Sequence, residues 1–386
     1  MLAAGLAVPP SLATAATLGA TLDSTDADAA TDWSRKVVDS TIARYPSPNN
    51  IGGWGYQVAL YLYGQYLVYK RTNHSAYLTY IKQWADRFVD SSGHISNSFN
   101  SLDSMMPGNV LVALYNETHD SRYKTACAQI HSRLATYPRT SDGGFWHADT
   151  SSRANQLWCD GTYMLLPLLV RYGRMVGDST TYDEACKQLI IYDKHLHAGN
   201  GLWYHAYDAT ATQSWVVPGT HHSGYEWGRA IGWFMMAIIE VLENIPTTHP
   251  ERSTLISMLQ ARCTAVAKYP HHSSSTSYRW YQVVNMGSTK GNWLETSSSS
   301  MYTYAISRGV QRGYLASSLN STAIDGHNGV LSQLTLDSSG KTNLANICIG
   351  TNVGDLQYYL DRPRATNDFH GLGSFIIMNE QLTVGG

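Results

Sequence analysis

A helix-pair junction that recurs along the chain constrains the fold more than any other feature. Three segments share its layout: KRTNHSAYLTYI at 70–81, NETHDSRYKTAC at 116–127 and MVGDSTTYDEAC at 175–186. In each, a helical pattern ends, two or three turn or capping residues follow, and a Tyr opens the next helical pattern. A fourth segment, 243–256, has Pro in place of the Tyr. A repeated helix-pair unit predicts a solenoid or a closed ring.

The spacing of apolar residues predicts about twelve helices along the chain. We expect them near 33–45, 55–71, 76–90, 105–117, 121–136, 157–176, 180–194, 226–245, 250–268, 296–312, 315–333 and 370–382. Six pairs would close into an all-α toroid, an (α/α)6 barrel with one central cleft. No Gly/Ser-rich linker divides residues 33–386, so they are predicted to form a single domain.

Short extended segments are predicted between these helices, at 143–149, 200–208 and 277–284. Each contains a Trp together with a His or a Tyr. In a toroid, such connecting segments lie at one mouth of the barrel, where binding sites are usually built.

Composition limits the classes of partner. The net charge is −2, the basic residues are scattered, and no apolar run approaches the about 18 residues of a membrane span. A nucleic-acid or membrane partner is therefore disfavoured. The chain has 26 Tyr and 11 Trp against 6 Phe. Side chains with an apolar face and a polar tip suit wet clefts that hold sugar rings, which favours a carbohydrate ligand.

The first 32 residues contain no Lys or Arg and are rich in Ala, Thr, Ser and Asp. Residues 1–32 are predicted to be a leader or a disordered segment, with small residues at 13–16 that suit a cleavage site. Three Asn-x-Ser/Thr triplets, at Asn73, Asn116 and Asn320, are compatible with secretion, and a secreted protein is expected.

Motifs for metals and cofactors are absent from the sequence. The five Cys residues are widely spaced without a CxxC pair, so they are predicted to be buried apolar residues. No GxSxG, P-loop, HExxH or dinucleotide-binding motif occurs. The pairs His221-His222 and His271-His272 lack the helical spacing of a metal site. We therefore expect no metal and no cofactor.

Two acidic residues lie where helices are predicted to begin. Asp160 belongs to the largely apolar segment ANQLWCDGTYMLLPLLVRYG at 154–173, and Asp103 precedes Pro107 in SLDSMMPG. An acid at the start of a helix often only caps exposed N–H groups, and that explanation stays open for both residues. The alternative is that the two carboxyls carry acid–base chemistry.

Aromatic and basic residues recur in the segments between helices. His147 follows GGFW, His205 lies in LWYH, and YEWGRAIGW contains Trp227, Arg229 and Trp233. The Trp residues could be core residues, and the His residues could be structural hydrogen-bonding groups. Arg229 precedes a strongly apolar run, and a buried Arg is expected to need an anionic partner.

Four segments resemble, in order, the motifs of family 105 glycoside hydrolases. They are LWCDGTYM, YEWGRAIGW, ETSSSSMYTYAISRGVQRGYL at 295–315 and RPRATNDFHGLGSF at 362–375. These enzymes are unsaturated rhamnogalacturonyl hydrolases, related to the unsaturated glucuronyl hydrolases of family 88. The resemblance extends from Trp33 to Gln381 and implies an (α/α)6 barrel, in agreement with the helix pattern. Ala230-Ile231 replaces the Gly-Asn that is common in the family, and Cys159 also departs from its pattern.

The resemblance also implies roles for individual residues. Asp160 matches the catalytic acid/base, and Asp103 matches a second catalytic acid. The substrate-binding residues that it implies are Tyr56, His147, Trp158, His205, Trp227, Arg229 and Trp233. Arg229 and the two histidines would bind a uronate carboxylate.

The implied reaction removes a 4,5-unsaturated uronic acid from the non-reducing end of oligosaccharides that lyases produce. Protonation at C4 of the vinyl ether gives a cation at C5, which water captures, and the resulting hemiketal opens to release the next sugar. Unsaturated rhamnogalacturonan disaccharides from pectin are the expected substrate. The donor needs a raised pKa, and the Trp-walled position of Asp160 is expected to supply it.

Two other functions stay open from the sequence. The same barrel could hydrolyse saturated glucuronides through the Asp103/Asp160 pair, with a cation at C1. It could also be a non-catalytic toroid that binds sugars. In each case the expected partner is an oligosaccharide, and the protein is expected to be a monomer.

Overall fold

The computed structural model describes residues 31–384. All but the last two residues of the predicted leader, 1–32, lie outside the described part of the chain. Within that part, thirteen α-helices are found: α1 Trp33–Arg44, α2 Tyr56–Thr72, α3 Ser75–Ala85, α4 Gly108–Thr118, α5 Ser121–Arg133, α6 Cys159–Val176, α7 Thr180–Leu196, α8 Gly228–Asn244, α9 Arg252–Val266, α10 Thr296–Gln311, α11 Asn320–Leu331, α12 Leu356–Leu360 and α13 Phe369–Val384. Twelve of them correspond to the twelve predicted helices. The short α12 is the addition.

Alternate helices form a closed inner ring. Packing contacts join α2 to α4, α4 to α6, α6 to α8, α8 to α10, α10 to α13, and α13 back to α2. The helices α3, α5, α7, α9 and α11 each pack outside the inner helix that precedes them, and α1 packs against α13. The prediction of an all-α (α/α)6 barrel is thus confirmed, with its sixth pair built from the first and last helices.

Burial distinguishes the two layers. The inner helix α8 is buried almost continuously from Gly228 to Leu242. The outer helix α9 buries one face, including Leu255, Leu259 and Cys263. An outer helix needs only one apolar stripe, whereas an inner helix contacts protein on all sides.

The strands are short and lie in the connections. They are β1 Gln156–Trp158, β2 Ala206–Asp208, β3 His271–Ser274, β4 Ser277–Tyr281, β5 Leu294–Glu295, β6 Leu334–Leu336, β7 Thr342–Leu344, β8 Ile347–Cys348 and β9 Arg364–Ala365. They pair antiparallel as β1–β2, β3–β4–β5, β6–β7 and β8–β9. Two predicted extended segments contain β2 and β4. The third, 143–149, makes only isolated bridges at Phe145 and Ala148.

The inner helices run in the same direction, because each outer helix returns the chain to the same end of the barrel. Their N-terminal ends carry Tyr56 on α2, Asp160 on α6, Arg229 on α8 and His370 on α13. The positive ends of the helix dipoles therefore meet at one mouth of the barrel, where they favour negative charge.

Most of the large aromatic residues serve the core. Trp84, Trp203, Trp227, Trp233 and Trp280 are fully buried. The abundance of Trp is thus largely a packing feature and only partly a property of a binding cleft. All five Cys residues are free and buried, as predicted. None of the helices in residues 31–384 has the length and apolar character needed to cross a membrane.

Candidate active site

A cavity of about 270 Å³ opens at the mouth formed by the inner-helix N-termini. Five of the nine predicted site residues line it: Tyr56, Asp103, His147, Trp158 and Asp160. The other four, His205, Trp227, Arg229 and Trp233, are buried and lie outside its lining. Further lining comes from residues that the sequence did not indicate: Ser101, Ala148, Arg153, Gly350, Thr351 and Asn352.

Backbone hydrogen bonds between loops bring the site residues together. Leu102 N donates to His147 O at 3.0 Å, and His147 N donates to Gln156 O at 2.8 Å. Cys159 N donates to His205 O at 3.0 Å, where β1 pairs with β2. These bonds align the turn of Asp103, the loop of His147 and the start of α6. The site is therefore built on paired backbone, although its residues lie in connections.

Asp160 lies in the first turn of α6, as predicted, but it does not cap that helix. Within residues 31–384, no backbone N–H donates a hydrogen bond to its carboxylate, and one oxygen, Oδ2, lies 3.2 Å from His205 Nε2. Burial alone would raise the pKa of Asp160, but nearby His205, His147 and Arg229 outweigh it and hold the pKa below its usual value. The expectation of a raised pKa at Asp160 is therefore wrong.

Asp103 is the carboxyl whose pKa is raised. Desolvation in the cavity is the main cause, although 36% of the side chain of Asp103 is exposed, and the charge of Asp160 adds to it, against the opposing effect of His147. Its Oδ2 lies 3.7 Å from His147 Nε2. Capping of the short 3₁₀ turn Leu102–Ser104 falls to Ser101, whose side chain accepts a hydrogen bond from Ser104 N. Neither acid is thus explained by helix capping.

A stack of three side chains forms one wall of the cavity. The ring of His147 lies parallel to that of Trp158, with centroids 4.4 Å apart, and the guanidinium of Arg153 lies 4.4 Å from the Trp158 ring. Arg153 also donates to Asn352 Oδ1 at 3.0 Å, which links two loops across the cavity. Among the residues that line the cavity, Arg153 is the one Arg or Lys side chain that could bind an anionic ligand. In the sequence, its only signal was its position shortly before Trp158.

Arg229 does not have the environment that the sequence suggested. Its guanidinium donates to two backbone carbonyls, Cys348 O at 2.5 Å and Ile349 O at 2.7 Å, and it is 1% exposed. The expected anionic partner is replaced by these carbonyls, which anchor strand β8 to the start of α8. The structure therefore gives Arg229 an anchoring role, and its contact with a substrate carboxylate stays a prediction.

The other three buried residues, His205, Trp227 and Trp233, lie beneath the residues that line the cavity. His205 Nδ1 lies 2.7 Å from the Tyr359 hydroxyl, and burial lowers the pKa of His205, which keeps the imidazole neutral. Trp227 packs on His205 with ring centroids 4.5 Å apart. Trp233 stacks on Tyr163 at 5.0 Å. Trp227 and Trp233 thus behave as core residues, which was the alternative left open for them.

Tyr56 is held by two residues that no sequence argument assigned. Its hydroxyl lies 2.7 Å from His370 Nε2, and His370 Nδ1 lies 2.5 Å from Asp368 Oδ1. Both partners belong to the segment RPRATNDFHGLGSF. That segment carried the family resemblance, but no single residue in it was given a role, because a pattern does not show which loops meet.

Comparisons with known proteins agree on the family. The sequence profile of Glycosyl Hydrolase Family 88 matches residues 33–382. The solved structure of a family 105 glycoside hydrolase from C. acetobutylicum is 32% identical, with a TM-score of 0.86, over 92% of this chain and 100% of that chain. The unsaturated rhamnogalacturonyl hydrolase YesR of Bacillus subtilis is 25% identical over 64% of this chain and 68% of its own length. The unsaturated glucuronyl hydrolase of Bacillus sp. GL1 shares the fold at 14% identity and a TM-score of 0.68, over 91% of this chain and 95% of its own.

Proposed function

Because this chain belongs to glycosyl hydrolase family 88 and is a glycoside hydrolase, we propose that it hydrates a 4,5-unsaturated uronic acid at the non-reducing end of an oligosaccharide. The observation that carries this proposal is the pair Asp103 and Asp160, which line one cavity and have pKa values shifted in opposite directions. One carboxyl that keeps its proton beside one that is ionised is the arrangement that acid-catalysed addition of water needs.

The opposite pKa shifts support a specific division of roles. Asp103 is the proton donor to C4, and Asp160, as a carboxylate, stabilises the positive charge that develops at C5. This division reverses the one suggested by the resemblance, in which Asp160 is the donor. Water then bonds to C5, the hemiketal opens, and the next sugar leaves without any attack on the anomeric carbon.

The cavity suits a single anionic sugar. Its volume of about 270 Å³ is just below the ~300–1,000 Å³ range typical of ligand pockets, so one terminal ring fits better than a chain. Arg153 and the inner-helix N-termini would attract the uronate carboxylate. The faces of Trp158 and Tyr56 would contact the ring.

The identity of the leaving sugar is a further part of the proposal. The name of the YesR relative, an unsaturated rhamnogalacturonyl hydrolase, supports unsaturated rhamnogalacturonan disaccharides, the products of pectin lyases, as the first substrate to test. Secretion, suggested by the composition of residues 1–32 and by the three Asn-x-Ser/Thr triplets, would bring the enzyme to such products outside the cell.

The test follows the ultraviolet absorbance of the conjugated C4=C5 bond. The protein is incubated with unsaturated disaccharides derived from rhamnogalacturonan, heparin, chondroitin and ulvan, and with a saturated glucuronide as the comparison. We expect absorbance to be lost with at least one unsaturated substrate, fastest with that from rhamnogalacturonan. Release of sugar from the saturated glucuronide, with no loss of absorbance from any unsaturated substrate, would overturn the proposal.

A further inference from the structure

The far mouth, the end of the barrel opposite to the active site, contains two adjoining cavities. Their volumes are about 530 Å³ and 550 Å³, against about 270 Å³ for the active-site cavity, and both fall in the ~300–1,000 Å³ range typical of ligand pockets. The two cavities share Tyr63, Arg171, Arg174 and Asn244 in their walls. At about 1.5 Å of rise per residue, Arg174 lies about 21 Å along α6 from Asp160. The far mouth is therefore separate from the active site.

The walls of these cavities come mainly from the later turns of the inner helices. Tyr66 lies in the second half of α2, Asn116 in the last turn of α4 and Arg174 in the last turn of α6, and Asn244 ends α8. Within the described part of the chain, the polar lining of the smaller cavity consists of two Arg, two Tyr and three Asn, with no carboxylate. Aromatic faces beside amides and guanidinium groups suit a ligand that has both rings and polar groups.

One cation at the far mouth has no partner. The three carboxylates that line the larger cavity each have an Arg partner: Glu240 with Arg171, Glu243 with Arg308 and Glu380 with Arg71. Lys70, which also lines it, pairs with Glu117 at 2.9 Å. Arg174 lines both cavities and is exposed, and its side chain makes no hydrogen bond or ion pair with any residue in 31–384. Its guanidinium is thus available to an anionic ligand.

The helix dipoles explain part of this arrangement. The negative ends of the inner-helix dipoles lie at the far mouth, so cations in the last turns are favoured there without any ligand. The dipoles do not account for the size of the two cavities, nor for the Tyr and Asn side chains that surround Arg174. These features together indicate a binding site.

We propose that the far mouth is a second, non-catalytic site that binds an acidic oligosaccharide. Arg174 binds a uronate carboxylate, Asn116 and Asn244 bind sugar hydroxyls, and Tyr66 contacts a ring face. Two adjoining cavities of this size hold more than one sugar ring, whereas the active-site cavity suits a single ring. The far mouth recognises carboxylates and hydroxyls, so its ligand needs no C4=C5 bond. The inference therefore goes beyond the proposed reaction and does not depend on it.

The other groups around Arg174 are less suited to hold the carboxylate. Arg171 is committed to Glu240, to Asn109 at 2.5 Å and to the hydroxyl of Tyr63 at 2.8 Å, and its guanidinium lies 4.3 Å from the centre of the Tyr63 ring. An incoming carboxylate would have to displace these contacts, whereas Arg174 has none to lose. The affinity for an anionic sugar should therefore depend mainly on Arg174.

The test is a calorimetric titration with saturated trigalacturonate, which has carboxylates and hydroxyls but no C4=C5 bond. Its fully methyl-esterified form is the neutral comparison, and sulfate is the comparison for an anion without a sugar. Protein without glycans is used, because Asn116 belongs to an Asn-x-Thr triplet. Arg174→Gln removes the unpaired cation. Lys268→Gln is the matched control, because Lys268 is an exposed cation just after α9, at the active-site end of the barrel, whose side chain likewise has no partner within residues 31–384.

We expect trigalacturonate to bind the wild type and Arg174→Gln to raise its Kd at least about tenfold. The methyl ester and sulfate should each bind the wild type at least about tenfold more weakly than trigalacturonate does. Lys268→Gln should match the wild type, and so should Arg153→Ala, which alters only the active-site cavity. No turnover is measured, so a protein that hydrates no unsaturated uronide would fail the proposed function and still decide this test.

Three results would overturn the inference. The first is that trigalacturonate does not bind the wild type. The second is that sulfate binds as tightly as trigalacturonate, which would make the far mouth a site for simple anions. The third is that Arg153→Ala loses the binding while Arg174→Gln keeps it, which would place the trisaccharide in the active-site cavity.

Discussion

The Nε2 atom of His205 lies 3.2 Å from Oδ2 of Asp160, in the wall of the cavity. His205 is fully buried, and its other ring nitrogen is occupied by Tyr359. The imidazole is therefore oriented with its Nε2 toward the carboxylate. This relationship explains why a carboxyl in an apolar, Trp-lined position is ionised, when burial alone would keep it protonated.

The first prediction concerns this pair. In His205→Phe the partner of Asp160 is lost while a ring is retained, so the pKa of Asp160 should rise. The acidic limb of the pH profile of kcat/KM should then move to higher pH. The control is His249→Phe, whose imidazole faces the exposed Asp183 far from the cavity. An unchanged acidic limb in His205→Phe would show that His205 does not set the pKa of Asp160.

The second prediction is the shape of the wild-type pH profile. The active form has Asp103 protonated and Asp160 ionised. Activity should fall at low pH as Asp160 takes up a proton, and at high pH as Asp103 loses its proton, with the alkaline limb above the usual range of Asp because the pKa of Asp103 is raised. A rate that climbs steadily into alkaline solution would argue against Asp103 as the acid.

The third prediction compares the two acids. Asp103→Asn and Asp160→Asn should each reduce kcat by about 10² or more, with a melting temperature near that of the wild type, since neither carboxyl caps a helix. Asp183→Asn, in the first turn of α7, is the control and should be fully active. In heavy water the product should carry deuterium at C4. Full activity in either cavity variant would remove that residue from the mechanism.

The fourth prediction separates two arginines. Arg153→Ala should raise KM at least about tenfold, since it removes a charged contact to the substrate. It should lower the melting temperature only slightly, since the hydrogen bond that it loses to Asn352 is exposed. Arg229→Lys should act on stability, by about 1–3 kcal/mol, because a single ammonium cannot serve two carbonyls as a guanidinium does. Kinetics and thermal unfolding of both variants check this. The reverse outcome, with KM sensitive to Arg229, would restore the assignment expected from the sequence.

The fifth prediction tests the closure of the ring. A Cβ on Gly373 of α13 would lie 2.8 Å from the backbone N of Tyr61 and 2.6 Å from Leu60 on α2. Backbone cannot move aside as a flexible side chain can, so Gly373→Ala should destabilise the fold by about 1–3 kcal/mol. The control is Gly199→Ala, where a Cβ meets no atom within 4 Å. Equal denaturation midpoints for the two variants would mean that α2 and α13 do not pack this closely at Gly373.

The positions of twelve helices and the barrel that they form were available from the sequence. Helical periodicity and capping residues are local properties, and six helix pairs of similar length have few ways to bury their apolar faces other than a closed ring. Asp160 at the start of α6 and the turn around Asp103 follow from the same local signals. The short helix Leu356–Leu360 does not, because five residues give no period to detect.

The tertiary structure alone decided the electrostatics of the site. Whether Asp160 or Asp103 keeps its proton depends on His205, which reaches Asp160 through the pairing of β1 with β2. Whether a buried Arg meets a ligand or a carbonyl depends on where strand β8 lies against α8, and the chain Asp368–His370–Tyr56 exists only because α13 packs beside α2. Periodicity reports which face of a helix is buried, but a pKa and a hydrogen-bond partner are set by atoms within a few ångströms that arrive from distant parts of the chain.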